Sequence, residues 1–365
     1  MMKAVIVQAK RTPLGKKNGM LREFHPHELA APLLKHLAHS VEHQIDDVIL
    51  GNVVGPGGNV ARLSALEAEL PLSVTGLTID RQCSAGLEAI RIACYLVQAG
   101  AGRCYIAGGV ESTSTSPYPS RAQFSPGKIG DPDMGIAAEY VAKKYHISRE
   151  RQDEYALLSY RRSRTAQQKG IYEQEILALE HFSKDEELLK ERNMEKLLKR
   201  ASSTFVKEIG TVTAANSCGI HDGASAALIM AESTAIKLGF QPVLRFIDSQ
   251  VSGIHPFYPG IAPVSAISEL LHRNQLKMED IDLIEINEAF ASKIVACSQE
   301  LGIPYEKLNV HGGALAIGHP YGASGGVLVT RLFYEVQRRH GIKFVLAAIG
   351  SAGGIGVAML FEVLK

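Results

Sequence analysis

The feature that most constrains this chain is an internal repeat. Asp47 to Asn52 reads D-V-I-L-G-N and Asp282 to Asn287 reads D-L-I-E-I-N, two apolar runs that each close on an asparagine. Cys83 follows Asn52 by 31 residues and His319 follows Asn287 by 32, each just ahead of an apolar-periodic helix. Two short apolar strands often look alike by chance, but agreement in order and spacing over three elements argues that one supersecondary unit occurs twice. The repeat pairs Cys83 with His319. A length of 365 residues suits it, being too long for one ordinary core and too short for three large ones, so two cores are expected.

Short β-branched runs alternate with helical patterns along both blocks. AVIV (4–7), DDVILGNVV (46–54), a helix after Cys83 and CYIAGG (104–109) make the first; DLIEIN (282–287), a helix after Gly322 and KFVLAAIG (343–350) make the second. This order is that of an α/β fold with buried strands. Residues 1–117 with 206–240 form the N-terminal half and residues 241–365 the C-terminal half. Between them, residues 118–205 are an excursion with its own small fold. It opens on Pro-rich turns (SPYPSRAQFSPGKIGDPD) and continues into charge-dense helices such as KDEELLKERNMEKLLKR (184–200). Those charges read as a solvated helix face, with a minority available to meet phosphates.

Composition narrows the function classes. Lys+Arg at 39 against Asp+Glu at 38 leaves no broad basic field, so no nucleic-acid partner is expected. No apolar run reaches the length of about 18 residues that a membrane span needs, and Met1 to Ala9 reads as a strand, not a signal peptide. A cytoplasmic location without a membrane partner follows. Five cysteines, odd in number, widely spaced and without a CxxC pair, argue against a disulfide framework and against a metal site.

In TIDRQCSAGLEAIRIACYLVQAG a strand ends near Asp80, and Leu87, Ile90, Ala93, Cys94 and Val97 fall at helical spacing. Cys83 therefore sits at a helix N-terminus, where free backbone N–H groups and the helix dipole are expected to lower a thiol pKa below about 8.5. Ser84, Ala85 and Gly86 are small, leaving an acyl group room to approach the Cys83 amide as an oxyanion site requires. Cys94, Cys104 and Cys297 read as plain core residues.

His319 lies in NVHGGALAIGHPYGASGGVLVTRL, among Gly312, Gly313, Gly318, Gly322, Gly325 and Gly326. Such glycine density lets backbone pass close to a ligand. A phosphate loop is the competing reading and fails, because no GxxxxGK[ST] is present. A histidine fixed by the following proline can take a thiol proton and hold the thiolate as an ion pair. Asn287, in INEAFA, can orient a water, donate to a developing oxyanion, or simply cap a turn.

Taken in order, RQCSAGLEAI, GGVESTS, TVTAANSCGIHDGASAAL, INEAFA and NVHGGALAIGHPYGASG resemble the signature blocks of the thiolases, and the resemblance runs from VIVQAKRTPLG to the closing GVAML. It implies an α/β fold of duplicated α-β-α-β-α layers, with two related five-stranded sheets around buried helices and a loop domain covering coenzyme A. It implies Cys83 as the acylated nucleophile, His319 as its base and oxyanion donor, and Asn287 as the holder of an oxyanion water. Met134, Ala214, Cys218, Ala289, Phe290 and Ala352 would line the acyl pocket or the pantetheine arm. Acyl-CoA thioesters would be the substrates, with no cofactor. A homodimer or homotetramer and a place in lipid and fatty acid metabolism are implied as well.

The order of the motifs, Asn before His, is that of thiolases and not of the related ketoacyl synthases. Several departures stand out. Where thiolases carry a second catalytic cysteine, in a block like CIGGGxG, this chain reads AAIGSAGGIGVAML, placing Gly350 or, with one deletion, Ser351 at that position. Asp133-Met134-Gly135 stands where His-Met-Gly is usual, after a short segment from Tyr118 to Asp133, while Cys218 replaces a usual serine and His221 reads as surface variation. Three readings stay open: a thiolase proper, with Ser351, Cys218 or a water moving the second proton; an acyltransferase or thioesterase without Claisen chemistry; and a non-catalytic acyl-CoA-binding protein.

Overall fold

The computed structural model describes residues 2–118 and 121–364; Met1 and Lys365, at the ends of the expected halves, and Pro119 and Ser120, within the expected excursion, lie outside the described residues. The strands are β1 (Ala4–Arg11), β2 (Gly15–Lys16), β3 (Asp47–Gly51), β4 (Thr75–Ile79), β5 (Cys104–Glu111), β6 (His221–Ala231), β7 (Leu244–Gly253), β8 (Leu283–Ile286), β9 (Phe344–Ser351) and β10 (Ile355–Val363). The helices are α1 (Pro26–Ala38), α2 (Val60–Glu67), α3 (Ala85–Ala99), α4 (Met134–Lys144), α5 (Arg149–Gln168), α6 (Met194–Arg200), α7 (Glu232–Lys237), α8 (Ala262–Arg273), α9 (Ala291–Leu301), α10 (Ala314–Ile317) and α11 (Ser324–Arg338).

The repeat is visible in the strand order. The first half runs β4-β3-β5-β6-β1, with β3 parallel to β4 and β5 and with β6 antiparallel to β5 and β1. The second runs β8-β9-β10-β7, with β8 parallel to β9 and β10 antiparallel to β9 and β7. Its counterpart of β4 is reduced to an isolated parallel bridge between Ile284 and Leu308, so the expectation of two full five-stranded sheets is corrected to five strands and four plus a bridge. The halves also join edge to edge, Val5 pairing with Arg245 and Ile6 with Leu244.

Packing explains why two independent cores do not form. Leu87, Ile90, Cys94 and Val97 of α3 and Leu328, Leu332 and Val336 of α11 pack in one cluster with Ile49 and Ile229 of the first half and Ile349 and Phe361 of the second. Two apolar helices need burial on all sides, and the sheets on either side supply it. Outside the sheets, α1 and α2 cover Val48, Leu50 and Ile106, while α8 and α9 cover Leu346 and Leu360. The layers read α-β-α-β-α, with a shared central core.

The excursion borrows its packing from the halves. Tyr155 and Leu198 belong to the cluster around α8 and α9, and Tyr160 and Tyr172 pack with Leu14, Ala316 and Val327. The charge-dense segment is not one helix. Only Met194–Arg200 is α-helical, begun by Asn193, whose side chain accepts from Lys196 N. Upstream, Asp185 leaves solvent and accepts from Arg11 and from the Leu14 N–H, which prevents an early helix start.

Candidate active site

Cys83 stands in a tight turn between β4 and α3, one residue before the Ser84 N-cap. Arg81 and Cys83 form a local bridge, and Gln82 between them has φ of 51°. A non-glycine residue there stores roughly 1–3 kcal/mol of strain. The turn is held from below by the C-terminal half: Ser84 N donates to Ser351 Oγ at 2.8 Å, and the two hydroxyls hydrogen-bond to each other. Asp80 Oδ1 accepts from Gln82 N at 2.6 Å.

The thiol does not behave as its helix position suggests. Cys83 as a residue is half-buried, but its thiol is enclosed, and burial pushes its pKa up to about 11 against the weaker opposing pulls of Lys293, in its charged form, and of its own backbone N–H. Desolvation outweighs the helix dipole. The expected lowered thiol is therefore corrected to a protonated one at neutral pH.

His319 lies beside the residues that lead into β6. Its N–H donates to Gly219 O at 3.2 Å and its backbone bridges Ile220. The ring Nδ1 lies 2.6 Å from Ser324 Oγ, in the first turn of α11, and 3.5 Å from Asn287 Nδ2. Nε2 is buried without a protein partner among the described residues, so it is the nitrogen left for a reacting group. Burial, helped by Lys293 and His221, holds the ring pKa down to about 3. Burial thus pushes both groups toward their neutral forms, against the thiolate–imidazolium pair expected from the sequence.

Asn287 directly follows β8 as Asn52 directly follows β3. Asn287 N donates to Ala348 O at 3.1 Å, and Asn52 N to Ile79 O at 3.1 Å. Lys293, buried on α9, acts electrostatically on both the Cys83 thiol and the His319 ring, so the three elements that carry them are near enough for one charge to reach both. Cys218 joins them: its N donates to Ala289 O at 3.0 Å, its charge acts on Lys293, and burial pushes its own thiol to about 12.

The remaining sites named from the sequence divide. Ala289 is buried beside Asn287, and Phe290 begins α9 with its ring 6.1 Å from that of Phe205. Met134 opens α4, where Asp133 accepts from Gly135 N at 2.9 Å. Ala214 is exposed on a turn, and Ala352 is buried beyond the end of β9. Ser351 is fully buried with its hydroxyl engaged by Ser84, and Gly350 presents only backbone.

One expectation is overturned. His221 is not surface variation but buried at the head of β6, its ring seated where a Cβ on Gly318 would fall 2.2 Å away. Two of the glycines, in the first turn of α11, are required by protein packing: a Cβ on Gly325 would lie 2.2 Å from Leu87 N, and one on Gly326 2.3 Å from Ser225 Oγ. They let α11 reach α3 and β6.

Sequence reasoning missed four residues. Ser324 supports the His319 ring. Glu288 accepts from Tyr155 Oη at 2.8 Å, Ser159 Oγ at 2.6 Å and Asn309 Nδ2 at 3.0 Å, fixing the strand end that carries Asn287. Glu111, pushed by burial to about 8, accepts from Gly322 N and Asn52 Nδ2, binding the Gly322 turn to the first half. Lys293 interrupts the apolar run AFASKIVAC, the one signal that could have found it. Among the described residues no group of His, Cys, Asp and Glu side chains is arranged to hold a metal ion.

Comparison with known proteins agrees with this architecture. The thiolase N-terminal domain matches residues 4–233 and the thiolase C-terminal domain residues 240–363. The chain is 62% identical over 363 residues to YhfS of Bacillus subtilis (strain 168), covering 100% of both. It is 47% identical over 386 aligned positions to VraB of Staphylococcus aureus (strain MSSA476), covering 99% of both; each bears the name "Putative acetyl-CoA C-acetyltransferase". Among solved structures, the Bacillus anthracis acetyl-CoA acetyltransferase superposes with a TM-score of 0.93 at 36% identity, over 100% of this chain and 99% of that one. Duplicated sheets around α3 and α11, a cysteine at the first helix and a histidine before the second therefore belong to a recognised lineage: this chain is an acyltransferase of the thiolase family.

Proposed function

We propose that the protein acylates Cys83 from acetyl-CoA or another acyl-CoA, and condenses that acyl group with a second acyl-CoA or runs the same reaction backwards as thiolysis. The observation that carries this reading is the buried Nε2 of His319, left without a partner among the described residues, on a ring that, like the Cys83 thiol, feels the charge of Lys293. As the Cys83 sulfur attacks the thioester carbon, its proton passes to His319 Nε2 and then to the departing CoA sulfur. The Nε2–H and a water held by Asn287 stabilise the oxyanion. Because both partners rest neutral, no ion pair needs to form beforehand.

A second reading, acyl transfer without carbon–carbon chemistry, is favoured by the backbone-only Gly350 and the engaged hydroxyl of Ser351. In our reading residues 118–205 cover coenzyme A between halves formed by 1–117 with 206–240 and by 241–365. Substrate contacts fall to Met134, Ala214, Cys218, Ala289, Phe290 and Ala352. We place the enzyme in the cytoplasm, in fatty acid metabolism; no helix among the described residues is long and apolar enough to cross a membrane. A homodimer or homotetramer is supported by the exposed Leu77 on the free edge of β4, with Leu63, Leu66 and Leu72 also exposed nearby in sequence.

Thiolysis separates the readings. Given acetoacetyl-CoA and free CoA, the enzyme should yield acetyl-CoA from both halves of the substrate, and Cys83→Ala should yield none. Acyl transfer without cleavage of acetoacetyl-CoA would leave only the second reading.

A further inference from the structure

We propose that Lys293 is the base that removes the α-proton of the second acyl-CoA, supplying the proton transfer for which β9 offers no side chain. This rests on the Claisen reading of the site.

Lys293 is 2% exposed, on the buried face of α9 between Ser292 and Ile294. Its Nζ makes one hydrogen bond among the described residues, a long one of 3.4 Å to Gly350 O. No carboxylate among them comes within salt-bridge distance. An ammonium so placed has lost several kcal/mol of hydration with little in return. Burial lowers its pKa, and the neighbouring Cys297, Cys83 and Cys218 oppose that only by carrying negative charge. With those thiols protonated, the lysine is driven toward the neutral amine, the form that accepts a proton.

Position makes the amine relevant to catalysis. Gly350 O, its single partner, belongs to the residue aligned with the missing second cysteine. The next residue, Ser351, holds Ser84 and with it the Cys83 turn. Lys293 therefore sits at the strand end that carries both the position of the missing cysteine and the residue bracing the Cys83 turn. A side chain at position 350 could not do the work instead. A Cβ there would lie 2.5 Å from Pro259 O and 3.0 Å from Pro263 Cδ, so the backbone would have to move first.

The step balances. With Cys83 acylated, the Lys293 amine takes a proton from the carbon next to the thioester of the second acyl-CoA, leaving an enolate and an ammonium. The enolate carbon bonds to the carbonyl carbon of the Cys83 thioester, and the carbon–sulfur bond to Cys83 breaks. The departing thiolate takes the proton from Lys293, restoring a thiol and a neutral amine. Burial favours that return, since it raises the thiol pKa and lowers that of the amine.

The test runs wild type and Lys293→Met with acetyl-CoA in D2O, reading both the acetyl mass on Cys83 and deuterium in the methyl group of recovered acetyl-CoA. Methionine matches the volume of the lysine stem and removes a buried amine, so the fold should hold. Wild type should show both signals. Lys293→Met should still acetylate Cys83, at whatever rate, while its exchange rate, compared at equal acetylation, falls about 10²- to 10⁴-fold. In Lys293→Ala, methylamine should restore exchange in proportion to its unprotonated fraction, which a merely structural lysine would not allow. Exchange by Lys293→Met within threefold of wild type overturns the assignment alone, as does an alanine variant that methylamine cannot rescue. Wild type that acetylates without exchange overturns it together with the Claisen reading; wild type that never acetylates removes the acyl-enzyme itself.

Discussion

His319→Ala is expected to slow acylation of Cys83 by about 10²- to 10⁴-fold, the usual cost of removing a positioned acid–base group. The loss is large because the thiol, pushed to about 11, offers little thiolate of its own at neutral pH. The imidazole makes proton transfer concurrent with attack. The pH response follows from the same environment. A ring at about 3 and a thiol at about 11 leave neither group titrating from pH 5 to 9, so acylation in wild type should be flat across that window. A resting ion pair would give a bell with limbs inside it. Stopped-flow release of CoA from acetyl-CoA measures both quantities. A rate in His319→Ala within fivefold of wild type would remove the ring from the mechanism.

The largest effect on stability should come from Arg11. Its guanidinium is fully buried and bridges Glu175 and Asp185, with contacts of 2.7 Å to each. Asp185 also accepts from Leu14 N at 2.9 Å, so this one cluster joins β1 to the excursion. Arg11→Met leaves two buried carboxylates without their salt-bridge partner, and breaking a buried pair in this way costs about 3–5 kcal/mol. The denaturation midpoint should fall accordingly with its slope unchanged. Replacing Arg11, Glu175 and Asp185 together by apolar residues should recover much of that loss, because no unpaired charge remains. A drop below about 1 kcal/mol for the single substitution would mean that water reaches the cluster.

These features differ in how far the sequence reveals them. The duplication is legible because equivalent strands end on Asn52 and Asn287 and because the apolar stripe of α3 is local; both survive as written. Cys83, Asn287 and His319 are legible for the same reason, each standing at the end of a periodic element. The shared central core is not legible, since it depends on how α3 and α11 meet. Ser351 is also hidden. Its hydroxyl holds a residue 267 positions away, and nothing near it in sequence says so. The thiol of Cys83 was misjudged because a helix N-terminus is visible in sequence while enclosure is not. Asp185 breaks the apparent helix of 184–200 through a partner 174 residues upstream. His221 is buried only because Gly318 lacks a side chain.

Intact-protein mass measurement after mixing with acetyl-CoA addresses the acyl-enzyme most directly. Wild type should gain one acetyl group that peptide mapping assigns to Cys83 and that free CoA removes, while Cys83→Ala gains none. No adduct on wild type across acyl-CoAs of several chain lengths, or an adduct of equal yield on Cys83→Ala, would contradict Cys83 as the residue that carries the acyl group.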